Sequence, residues 1–408
     1  MYRTPSKADA MAVTTRTQPF DADVTPRSAE VTPAAPGRIT SLDIIRGVIM
    51  VLMAIDHVRV YSGLPAGGPT AGIFFTRWIT HFCAPGFVFL AGTAAFLHGR
   101  KLGDASALAR FLVTRGLLLV VLELTVIRIG WTFGIDYSTF VLAGVIWMLG
   151  WCMVILAAFV RAAPRTVGWL GVAVILLQSL FALPPRLLPG GAERAVGRVW
   201  EFVHPAGFDV VAPFSVLYVL VPWIGVMMAG YGFGAIMVRE PAARARLCWR
   251  IGLAASAVFL LVGGIVAAMQ GGERPFLFRL LDQQKYPASQ LFLLMTLGPM
   301  IALIPAAERA RGWLASVMAT IGRVPLFYYL LHIPLIHASA LLVNVLRTGS
   351  AHGEWYRTAP YTSVPEEQRW TLALLYLVFA VDVAVLYAAC RWYAKVKARR
   401  PGGWLRYI

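Results

Sequence analysis

Long apolar runs alternate along this chain with short polar or Gly/Pro-rich segments, and the runs set the expected architecture. Ten stretches are apolar over roughly the 20 residues that carry a helix across a bilayer core: 42–61, 74–97, 108–129, 138–160, 166–183, 213–237, 250–269, 289–306, 322–346 and 370–391. The segments between them, such as SGLPAGGPTAGI at 62–73, hold the turn formers of loops. No internal repeat is visible. The pattern predicts an all-α fold, a polytopic transmembrane helix bundle of about ten spans. The transmembrane domain occupies 38–395. Residues 1–37, rich in Thr, Pro, Ala and Asp, cannot bury a core and read as a disordered tail. Residues 396–408 read as a basic tail. The N-terminal region is not a signal peptide, because the first apolar run starts near Ile44 and is too long for one.

Composition supports this class: 58% of the 408 residues are hydrophobic and only 14% are charged, too few for a soluble surface. A net charge of +17 would suggest nucleic acid in a soluble protein. In a membrane protein, Lys and Arg gather in cytoplasmic loops instead. With the N-terminus inside, cytoplasmic segments hold 22 Lys and Arg against 9 outside, and the first two outer loops hold none. The expectation is a multi-pass protein of the inner (plasma) membrane with both termini cytoplasmic, the lipid bilayer as a partner and no nucleic acid. Cys83, Cys152, Cys248 and Cys390 are widely spaced and read as packing thiols, with neither a disulfide framework nor a metal site.

One stretch breaks the apolar pattern. VLMAIDHVRVYSG at 51–63 places Asp56, His57 and Arg59 within one turn at the end of the first span. At about 100° per residue, Asp43, Arg46, Met50, Ala54, His57 and Tyr61 share one stripe. The stripe faces the protein interior, since ionisable groups facing lipid are costly. Asp43 and Arg46 lie at the inner end, about 20 Å from His57 and Tyr61. Asp56 points elsewhere, toward Arg59, Arg77 or another helix. Span 2, FFTRWITHFCAPGFVFLAGTAAFLHGRK, begins outside, so Arg77 and His81 meet the Asp56 group at one depth. Plainer readings compete throughout: a helix-start ion pair for Asp43 and Arg46, a hydrogen-bonded interfacial imidazole for His57, and snorkelling arginines at 59 and 77. Pro85 frees the His81 carbonyl, compatible with a kink beside a pocket.

RITSLDIIRGVIMVLMAIDHVR followed by RWITHFCAPGFVFLAGTAAFL resembles the catalytic domain family named for heparan-α-glucosaminide N-acetyltransferase, and its bacterial members in particular. VPWIGVMMAGYGFG at 221–234, KYPASQLFLLMTLGP at 285–299 and RVPLFYYLLHIPLIH at 323–337 extend the likeness over most of the chain. The resemblance implies a multi-helix acyltransferase that takes acetyl from cytosolic acetyl-CoA and passes it to an amino-sugar or other saccharide acceptor across the membrane. It also implies a site near the non-cytosolic ends of spans 1 and 2, where the family uses a histidine and an asparagine. Aligned through LMAIDH, the asparagine position is occupied by His57, and the following loop has no histidine. A histidine acting here is therefore His57 or His81.

Acyl transfer to an amine or hydroxyl needs a base and donors for the oxyanion. His57 or His81 suits the base, with Asp56 as a candidate orienting group. Arg59, Arg77, Tyr61 and Lys285 are candidates to polarise the carbonyl or contact the acceptor, and a covalent acyl-histidine is a further route. The phosphates of CoA call for cations, for which Arg46, beside Asp43, and Arg323 are candidates. His332 and His337 lie about 140° apart on span 9, and the deeper His332 is the stronger site candidate. A transporter of a small polar or lipid-linked solute is the rival reading, since interrupted helices and internal ionisable residues suit that class too. A non-catalytic scaffold is a third, and a homo-oligomer is compatible with all three.

Overall fold

The computed structural model describes residues 39–399, apart from 69, 190 and 211. The tail expected at 1–37 and residues 400–408 lie outside the described residues, whereas 396–399 continue the last helix. The main helices are α1 (Thr40–Tyr61), α2 (Ala71–Leu102), α3 (Ala105–Leu122), α4 (Val145–Ala157), α5 (Pro164–Leu176), α6 (Trp223–Met237), α7 (Pro241–Gln270), α8 (Gln290–Arg309), α9 (Trp313–Arg323), α10 (Pro325–Thr348) and α11 (Leu372–Arg399). Among the described residues, strand is confined to a short parallel pair, β1 (Val141–Ala143) with β2 (Phe214–Val216), in register Val141 to Phe214.

Local chemistry explains several boundaries. The Thr70 hydroxyl accepts from the Ile73 amide at the start of α2, Asp104 caps α3 and Ser289 caps α8. Pro164, Pro241 and Pro325 open α5, α7 and α10, where a missing N–H costs nothing. Within α2, a 3-10 turn at Ile79–Phe82 precedes Pro85, which cannot donate to the His81 carbonyl. The N-terminus of α4 is capped from another helix. Glu123, in a π turn following α3, accepts from the amides of Ile146 and Trp147 at 2.9 and 3.1 Å. Gly144 leaves room for that carboxylate, since a Cβ there would stand 2.5 Å from Oε1.

α2, α7, α8, α10 and α11 are long and apolar enough to cross a membrane. α1 is long enough but carries Asp43, Arg46, Asp56 and Arg59. α4, α5 and α6 are shorter apolar helices than the runs expected at 138–160, 166–183 and 213–237. In the first and third of those runs the strands β1 and β2 occupy the N-terminal part. α9, which falls between two expected spans, packs along α1. The contact is a glycine seam: a Cβ on Gly47 would overlap the Met318 carbonyl, and one on Gly322 the Asp43 carbonyl. α3 and α4 meet the same way, with a Cβ on Gly116 falling 2.5 Å from the Gly150 oxygen. α1 is the hub of the bundle, touching α2, α8, α9, α10, α11.

Candidate functional site

Toward the Tyr61 end of α1, Asp56 ties α1 to α2. Its Oδ1 accepts from Nε and Nη2 of Arg59, both at 3.1 Å, and its Oδ2 accepts from Nη1 of Arg77 at 3.2 Å. Arg59 also donates to the Leu64 carbonyl, and Arg77 to the Thr80 hydroxyl. Arg59 is buried and the Arg77 side chain only 12% exposed, so neither snorkels to the membrane surface. Both Asp56 oxygens serve arginines. The orienting partner of His57 is a different residue.

That partner is His332 of α10. His57 Nδ1 lies 2.7 Å from His332 Nε2, and His332 Nδ1 lies 2.6 Å from the Tyr329 carbonyl. A carbonyl only accepts, so His332 Nδ1 carries the hydrogen. In a neutral ring His332 Nε2 is then bare and accepts from His57 Nδ1–H. His57 Nε2 is left as a lone pair. The imidazole packs on His332 and meets Trp131 edge-on at 4.8 Å between centroids. His332 is fully buried and His57 half-buried.

The other expected residues separate into groups. His81 sits apart from the His57–His332 pair, edge-on to Phe292 at 5.3 Å, with its buried Nδ1 unpartnered. Tyr61 is fully buried and donates its hydroxyl to the Trp131 carbonyl at 2.7 Å, which leaves it no proton for a substrate. His337 stacks on Tyr61 and faces the Gly130 carbonyl, so the two histidines of α10 serve different neighbours of α1. Lys285 reaches this end from the loop before α8, with its ammonium over the rings of Tyr286 and Tyr218.

At the Thr40 end the helices line a half-open cavity of about 2840 Å³. That exceeds the 300–1,000 Å³ of ordinary small-molecule pockets and leaves room for a nucleotide with a long arm. Its mouth is basic, with Arg100, Lys101, Arg311, Arg391, Lys395 and Lys397 among the lining residues. Asp43, Arg46 and Arg323 line it as well. Asp43 and Arg46 pair at 3.2 Å, Arg46 also donates to the Gly322 carbonyl, and Arg323 Nε is buried without a partner. The deeper lining turns apolar at Met50, Leu119, Ile146 and Met153 and includes Tyr329. Among the described residues no cluster of His, Cys, Asp or Glu converges to hold a metal.

Sequence reasoning alone missed the Glu123 cap, Trp131 and the role of Tyr329. A buried glutamate in an apolar run was the available signal for Glu123; the other two look like ordinary core residues. Residues 38–268 match the profile of the family described as heparan-alpha-glucosaminide N-acetyltransferase, catalytic. Asp56, His57, Arg59, Arg77 and His81 fall inside the match, while Lys285, Arg323 and His332 fall beyond it. No curated protein matches the chain.

Proposed function

The chain belongs to the heparan-α-glucosaminide N-acetyltransferase catalytic family, and from that premise we propose that it is an integral membrane acetyltransferase moving acetyl from acetyl-CoA to a saccharide acceptor on the other side of the bilayer. One observation carries the reading: Tyr329 belongs to both halves of the site. It lines the basic cavity, and its carbonyl anchors the histidine pair. The basic cavity and the histidine pair thus meet at one residue of α10.

The cations at the mouth suit the phosphates of CoA, and the apolar interior suits the pantetheine arm. Met50 lies two turns below His57, roughly 10 Å, a distance the arm spans while its phosphates stay at the mouth. The acceptor nitrogen or oxygen attacks the thioester carbonyl carbon as its proton passes to His57 Nε2. The tetrahedral oxyanion collapses, the C–S bond breaks, and the thiolate leaves and is protonated. The product is an acetamide or ester together with free CoA. Binding donor and acceptor from opposite ends brings the reacting atoms together without moving a large domain.

The cytoplasmic side is taken as the Thr40 end, and the acceptor side as the Tyr61 end. The test is incubation of purified protein in lipid nanodiscs with acetyl-labelled acetyl-CoA and glucosamine-terminated oligosaccharides. Label should pass to the sugar, and His57→Ala should lower turnover by roughly 10²–10⁴-fold while acetyl-CoA still raises the melting temperature. Normal turnover in His57→Ala would sink the assignment of the base. No melting shift at millimolar acetyl-CoA would sink the donor.

A further inference from the structure

Between α5 and β2 the chain builds a unit that the candidate site does not use. The turn before α5 lies beside the start of α3, where Arg161 donates to the Ser106 hydroxyl. α5 therefore runs back toward the Tyr61 end, and the residues after it emerge there. They form two 3-10 turns and a short helix, Gly191–Trp200. Gly197 seats this helix, since a Cβ there would stand 2.5 Å from the Phe208 ring. The Trp200 indole donates to the Phe181 carbonyl at 2.6 Å. The opposite side of the helix carries a pattern. Ala192, Ala195, Val196 and Val199 have the spacing of a single helical stripe, and all four are exposed, Val196 by 40% and Val199 by 68%. Leu187, 80% exposed, adjoins the stripe through the 3-10 turn that packs on the helix. Leu180 and Leu183 continue the exposed apolar surface to Leu176 and Trp169 of α5. Arg194 and Arg198, one turn apart beside the stripe, are exposed and make no hydrogen bond or ion pair among the described residues.

We propose that Gly191–Trp200 is an interfacial helix that lies in the bilayer surface at the Tyr61 end, with its valines among the upper acyl chains and Arg194 and Arg198 on lipid phosphates. An apolar stripe flanked by arginines is the pattern that such helices present to a membrane. Two features favour lipid over a protein partner. The apolar surface is continuous with the exposed side of α5, an apolar helix of a membrane bundle. The flanking charge is positive and unpaired, which complements the phosphates of a headgroup layer. The helix is also tied to the spans: the Leu220 and Val221 amides donate to the Phe202 and Val203 carbonyls at the entry to α6. Anchoring Gly191–Trp200 therefore sets the level at which that end of α6 meets the headgroups.

The test needs no acetyl transfer and stands apart from it. The four native cysteines are buried, so Val199→Cys in the full chain takes an environment-sensitive fluorophore at one place. The labelled protein is set in nanodiscs, one copy per disc. Lipids brominated on the acyl chain should quench the label at least about threefold more strongly than aqueous iodide does. Emission should lie further to the blue in discs of phosphatidylcholine with phosphatidylglycerol than in phosphatidylcholine alone. Replacing both arginines, Arg194→Gln with Arg198→Gln, should abolish that dependence on anionic lipid. If the label at 199 lowers the melting temperature, Val196→Cys reads the same stripe. Stronger quenching by iodide than by brominated lipid would put the stripe in water and overturns the proposal. An anionic-lipid dependence that survives the double glutamine change takes the arginines off the phosphates, and also overturns it. So does efficient disulfide cross-linking of unlabelled Val199→Cys between copies in native membranes, which would assign the stripe to a second subunit.

Discussion

As the proposed base, His57 takes its hydrogen-bond partner from a residue 275 positions away. The 2.7 Å contact with His332, itself held by the Tyr329 carbonyl at 2.6 Å, selects the tautomer in which Nε2 accepts a proton. In the proposed mechanism His332 is a positioning residue, and its substitutions should separate by chemistry more than by size. Glutamine offers an oxygen near the place of Nε2, so His332→Gln should keep turnover within about tenfold. His332→Leu offers no acceptor and frees the other tautomer; setting an imidazole wrongly costs up to about 10⁴-fold in well-studied triads, and a loss of at least roughly 10²-fold is expected here. Single-turnover acetyl transfer compares them, with the acetyl-CoA melting shift as the folding control. Equal loss in both variants would reduce His332 to packing.

Among the elements, α1 is held by close backbone approach as much as by side chains. A methyl on Gly47 would drive into the Met318 carbonyl of α9, a backbone atom that cannot swing aside. Gly47→Ala should therefore lower stability by about 1–3 kcal/mol despite the better helix propensity of alanine. Gly264→Ala is the control, because nothing lies within 4 Å of its Cβ position in α7. It should be neutral or stabilising by up to about 1 kcal/mol. Thermal melting of the two variants in one detergent checks the pair, and equal melting temperatures would contradict the seam. Since α9 also brings Arg323 to the cavity, loosening this seam should weaken donor binding as well.

The whole molecule reads as a bundle immersed in lipid. The membrane-length stretches of α7 and α11 are only 22% buried within the protein, and they expose Leu253, Leu260, Leu261, Leu377, Val381 and Trp392. Such faces need lipid or a partner subunit to cover them. The charge bias of the sequence predicts that the start of α7 faces the cytoplasm. The four native cysteines are buried, which leaves introduced ones as clean reporters. In intact cells, an impermeant thiol reagent should label Glu273→Cys, past the far end of α7, and spare Ala242→Cys. The reverse pattern would turn the protein over and put the basic cavity on the outside, where acetyl-CoA is absent.

The sequence by itself determined the helical class, the membrane and the gathering of ionisable residues at the end of α1, and it left the Asp43–Arg46 pair as one of two readings. Each follows from local period or local composition: a 3.6-residue repeat fixes which side chains share a face, and the bilayer fixes how long an apolar run must be. The loop expected between 306 and 322 hid α9, because a short helix of moderate hydropathy gains its stability from the glycine seam with α1 rather than from its own sequence. Only the tertiary structure decided that Asp56 serves two arginines, that His57 answers to His332 rather than to Asp56 or His81, and that Tyr61 spends its hydroxyl on a backbone carbonyl. Hydrogen-bond partners are set by which helices come to lie side by side. Apart from Asp56 with Arg59, three residues on, the partners of α1 come from α2, α10 and the segment that follows α3, so no short window along the chain contains both members of those pairs.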